Sequence, residues 1–91
     1  MKKLAMIVLI ALAPAAAVAD QAASTKCRGT LNADGKAIYD KSLPLATTPD
    51  ANLREVVTEQ TRALAGAGTI QVPTARENAE AAGECLKLLR K

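Results

Sequence analysis

At 91 residues the chain carries 12 Lys or Arg against 9 Asp or Glu, a formal charge of +3, with no histidine, no Phe or Trp and a single tyrosine. Without histidine the commonest proton carrier at neutral pH is missing, and with it the His-containing nucleophile triads and most zinc sites. One aromatic, Tyr39, and no dense Lys/Arg cluster argue against a base-stacking surface, so no nucleic acid partner is expected.

Met1, Lys2 and Lys3 form a short positive region ahead of an apolar run, and Ala17-Val18-Ala19 precedes Asp20. This is the pattern of a cleavable secretion signal over residues 1–19, with small side chains at both positions signal peptidase must accommodate. The run from Leu4 to Ala19 holds 16 residues and a proline, short of the roughly 20 a membrane-spanning helix needs. Cleavage after Ala19 is therefore expected, giving a periplasmic or secreted product with no stable membrane insertion. Lys2 and Lys3 leave with the signal, so ten basic side chains face nine acidic ones in the remainder.

Residues 20–26, small and polar, read as a flexible leader, and residues 27–91 as one small domain. Asn32-Ala33-Asp34-Gly35 reads as a turn whose glycine takes positive φ. It predicts a short N-terminal β-hairpin or turn-rich segment, with strands near Arg28–Leu31 and Lys36–Tyr39. A short helix from Gly35 to Leu43, capped by Asp34, is the competing reading. In either case Pro44 is expected to end the element, because the residue before a proline is pushed out of the helical region.

Thr48 as cap, Pro49 at the first helical position and Asp50 beside the positive end of the dipole predict a helix over about 49–65. Leu53, Val56, Val57 and Leu64 form its apolar stripe, with Gln60 as a polar intruder in its middle, expected half-exposed at the edge of a small core. Gly66 is placed to cap its end. Ile70 and Val72 are the expected docking side chains of the link. Thr74 and Glu77 fit a capping box opening a second helix over about 75–89. There Ala75, Ala79, Ala82, Leu86 and Leu89 share a face, and Gly83 is read as relieving crowding near Cys85.

Cys27 and Cys85 lie near the two ends of the exported chain. An even number of well-separated cysteines in an exported protein predicts a structural disulfide. The fold class expected is thus mainly α: a disulfide-stapled helical hairpin behind a short β-hairpin or turn-rich segment.

Neither Ser24 nor Ser42 sits in a nucleophile elbow, and no phosphate-binding loop, EF-hand or haem-attachment motif occurs. No catalytic residue, cofactor or metal site is expected, and the chain is not read as an enzyme. Arg54, Thr58 and Arg62 fall at four-residue steps on the outward side of the first helix, and their two guanidinium groups suit carboxylates or phosphates. An ordinary solvated face flanked by Glu55 and Glu59 is the plainer reading. The functional expectation is a non-catalytic interaction module of the cell envelope, an adaptor or inhibitor that binds another exported protein. The alternative is a stress holdase, loosened by acid or heat, that exposes its apolar face.

Overall fold

The computed structural model describes the backbone of residues 15–90 and the side chains of residues 20–90. Among the described residues the chain is helical, with no strand: α1 Ala15–Arg28, α2 Ala33–Ala46, α3 Leu53–Gly66 and α4 Ala75–Lys87, closed by a 3-10 turn Leu88–Arg90. Residues 1–14 of the expected signal lie outside the described residues; the backbone of 15–19 opens α1. No described helix is long and apolar enough to cross a membrane.

Residues 20–26, expected as a leader, belong to α1. Their small, polar composition hides two facts. Ala22 and Ala23 are the best helix formers, and Ser24 and Cys27, three residues apart, share a face that packs against the body. Ser24 is fully buried and Cys27 packs against the core.

The N-terminal β-hairpin is replaced by α2. Asn32 does not turn the chain back on itself; it caps a helix, its Oδ1 accepting the Gly35 N–H at 2.8 Å. Asp34 in the first turn suits the dipole, so the competing helical reading was nearer, with the cap two residues earlier. Gly35 does not take positive φ; it sits in tight space, since a Cβ there would lie 3.1 Å from Leu31 Cβ and Leu31 would have to give way slightly. Pro44 does not stop α2, which runs on to Ala46. A proline this close to a C-terminus deletes one N–H, and the last turn is held by other donors. The Thr47 N–H reaches Leu43 O at 3.2 Å. Arg90 Nη2 donates to Ala46 O at 3.0 Å and Ala51 O at 2.9 Å, placing a cation on the negative end of α2.

The first helix of the expected pair starts later than its sequence signals suggested. Asn52, not Thr48, is the cap, accepting the Glu55 N–H at 3.1 Å. Pro49 and Asp50 lie in the preceding turn, where Asp50 adopts φ 64°, a left-handed conformation that aspartate tolerates better than most residues. At the other end Gly68 rather than Gly66 takes positive φ, 79°. The Thr69 N–H then reaches Leu64 O at 2.9 Å and the Gly68 N–H reaches Ala65 O at 3.1 Å, the paired bonds of a Schellman motif.

The capping box at Thr74 does not form, because its φ and ψ of −109° and 8° keep the hydroxyl from the helix amides. That hydroxyl instead accepts Asn78 Nδ2 at 3.4 Å. Asn78 Oδ1 in turn accepts Asn32 Nδ2 at 2.8 Å, joining the cap of α2 to α4.

The core comprises Ile38, Tyr39 and Ala46 of α2, Val57 and Leu64 of α3, Ile70 of the link, and Ala82, Cys85 and Leu86 of α4. Helix α4 packs against each of the other three helices. Of the two expected docking residues only Ile70 is buried; Val72 is 68% exposed. Gln60, within the α3 stripe, is half-buried.

Candidate protein-docking groove

The disulfide sets the frame for any surface on this molecule. Cys27 of α1 and Cys85 of α4 are bonded, with Cα atoms 5.3 Å apart and 58 residues of separation. A buried polar chain lies beside it. Ser24 Oγ donates to Cys85 O at 2.8 Å, and because it has one hydrogen, the Tyr39 hydroxyl donates to it at 2.7 Å. Arg28 closes the outer end of α1 on α2, with Nε and Nη2 each 2.7 Å from an Asp40 carboxylate oxygen.

That ion pair carries the clearest acid sensitivity in the described chain. Hydrogen bonding from Arg28 holds the Asp40 carboxyl below its ordinary value of 3.8, against a smaller opposing effect of burial. The same pairing raises Arg28. A carboxylate depressed in the folded state contributes stability above its unfolded pKa and loses it as pH falls through the folded value. Stability is therefore expected to decline below about pH 4. Asp40→Asn should flatten that part of the decline in an acid titration followed by circular dichroism; an unchanged profile would assign it to other carboxyls.

Away from the disulfide, α3 and α4 enclose an open groove of about 870 Å³. Arg54, Thr58 and Arg62, the stripe singled out in the sequence, all line it on the α3 side. Arg76, Glu80, Glu84 and Lys87 line the α4 side. Four cations and two carboxylates leave the groove net positive. Lys87 Nζ is 3.1 Å from Glu84, whereas among the described residues no carboxylate lies within 4.0 Å of Arg54, Arg62 or Arg76. Glu55 and Glu59, the neighbours in the solvated-face reading, form no ion pair with the arginines.

The less exposed part of the lining is mostly small, Thr61, Ala65, Ala75, Ala79 and Gly83, together with the larger Leu53 and Val57. Gly83 does not relieve crowding near Cys85 as expected, because a Cβ built on it meets nothing within 4 Å. Gly83→Ala should therefore raise stability by about 0.5–1 kcal/mol through helix propensity alone, read as a higher urea midpoint at unchanged slope.

Arg76 and Glu80 were not identified as partner residues from the sequence, although they repeat the four-residue step of Arg54 and Thr58. Their spacing was legible; that the two stripes face one groove was not. No protein-family model matches this chain, and none of the curated proteins or solved structures compared with it matches.

Proposed function

We propose that this protein is an exported, non-catalytic interaction module that holds another exported protein in the groove between α3 and α4. The observation that carries the reading is the net-positive groove, whose Arg54 and Arg62 lack carboxylate partners within the described chain. Unpaired guanidinium groups spaced along one wall are suited to carboxylates of a partner. The disulfide supports residence in an oxidising compartment, as expected of periplasmic or secreted release after cleavage at Ala19. A rigid pair of packed helices tied to α1 loses little conformational entropy on binding.

The test is the double substitution Arg54→Gln with Arg62→Gln. Both side chains are exposed, so the melting temperature should hold within a degree or two, since surface changes seldom exceed about 0.5 kcal/mol. Recovery of the partner by in-cell crosslinking should fall about tenfold or more, as befits loss of two charge-assisted contacts. Equal recovery removes the reading.

The acid sensitivity of the Arg28–Asp40 pair favours a second reading, a holdase that loosens near pH 4 and exposes Ile38, Tyr39 and Leu86. Dye binding by ANS across pH 2–7 separates the two. Strong binding that rises below pH 4 supports the holdase; none throughout leaves the module.

A further inference from the structure

Resting on the interaction-module reading, we infer that the occupant of the groove is an amphipathic α-helix of the partner, with a small-residue face and Asp or Glu along the edge that meets α3. The dimensions come first. The lining runs from Leu53 to Ala65 on α3 and from Ala75 to Lys87 on α4, about 18 Å on each at the helical rise. That length is matched by about three turns of a third helix.

The floor fits the same object. Thr61, Ala65, Ala75, Ala79 and Gly83 make up most of its less exposed lining, beside Leu53 and Val57, and small residues let helix backbones approach closely. Gly83 is informative because its own fold does not demand it: it costs an interior helix about 1 kcal/mol against alanine, yet space stands open above it.

Charge selects the occupant's flanks. Arg54 and Arg62 stand on the α3 wall without a facing carboxylate, whereas on the α4 wall Arg76 and Lys87 are balanced by Glu80 and Glu84, so carboxylates along the α3-facing edge of an incoming helix would meet cations. A second copy of this chain is disfavoured, since identical grooves facing each other would oppose net-positive surfaces. A lipid surface is disfavoured because the apolar atoms line a concavity, and a membrane requires a protruding apolar face.

The experiment uses the intact, disulfide-bonded protein and a synthetic helical peptide of about 15 residues, a length that spans the groove. Its alanine-rich face is edged on one side by glutamates, and a control peptide carries lysines instead. Anisotropy titration at low salt should show the glutamate peptide binding at least tenfold tighter than the lysine peptide. Its affinity should weaken with salt and below pH 4. Arg54→Gln with Arg62→Gln should weaken it about tenfold. Gly83→Leu, which fills the floor, should abolish it while helicity by circular dichroism is retained.

Equal binding of both peptides, or undiminished binding to folded Gly83→Leu, overturns the inference. A photo-crosslinker at Thr58 in cells separates this failure from failure of the module reading. A crosslinked acidic amphipathic segment of another exported protein supports both. A crosslinked partner segment of different chemistry keeps the module and overturns the helix. A crosslink to a second copy, protection by anionic vesicles alone, or no protein crosslink overturns both.

Discussion

Replacing Cys27 and Cys85 by serine is expected to lower the unfolding free energy by about 4 kcal/mol, the chain-entropy value for closing a loop of 58 residues. For a domain this small the loss is decisive, because a core below roughly 80 residues seldom supplies more than about 3–5 kcal/mol. The effect should not be uniform along the chain. Helix α1 is held to the body by the disulfide, the Ser24 hydroxyl and the Arg28–Asp40 pair. With the proposed cleavage after Ala19, only residues 20–28 of α1 would remain, well under the length at which an isolated helix persists in water. Amide exchange should therefore show α1 opening first in the serine variant, and urea unfolding should shift to a much lower midpoint. A variant with the wild-type midpoint would mean that the bridge adds no restraint the packing does not already impose.

Ile38→Ala, made with the disulfide intact, is expected to cost about 2–5 kcal/mol, the range for truncating a fully enclosed aliphatic side chain. Ile38 is 0% exposed and sits on α2, which packs against α1, α3 and α4, so no single neighbour can move in to fill the space. The natural control is Val72→Ala. Val72 is apolar and was an equal candidate for docking in the sequence, yet it is 68% exposed, and its truncation should stay within about 0.5 kcal/mol. Urea midpoints for the pair check the burial pattern directly. A cost below about 1 kcal/mol at Ile38 would be incompatible with its placement at the centre of the core.

These two substitutions also mark where sequence reasoning succeeds. The pairing of Cys27 with Cys85 followed from their number and from the compartment implied by residues 1–19. The apolar stripes of α3 and α4 followed from helical periodicity, and Val57, Leu64, Ala82 and Leu86 are all buried. The Arg54, Thr58 and Arg62 stripe was legible for the same reason: residues four apart share a helix face whatever surrounds it.

Caps and turns were less legible because one residue type serves both. Asn32-Ala33-Asp34-Gly35 has the composition of a hairpin turn and of a helix start, and nothing local distinguishes them. The choice was made by Ile38, Tyr39 and Ser42, which only as a helix fall together on the face that meets α3 and α4. Thr48 and Thr74 likewise had the right chemistry for capping, yet Thr48 lost the position to Asn52, and Thr74 keeps the cap position of α4 at backbone angles that leave its hydroxyl to Asn78, which is itself bonded to Asn32, 46 residues away.

What the sequence by itself determined was helical periodicity, charge placement and the covalent pair, all of which depend on neighbours a few residues off or on a count. Tertiary structure alone decided that residues 20–26 are helical, that Gly83 faces open space, and that the arginine stripe of α3 confronts Arg76 and Glu80 across one groove. Each of these depends on which surface another helix covers, and that is settled by burial across the chain rather than by propensity along it.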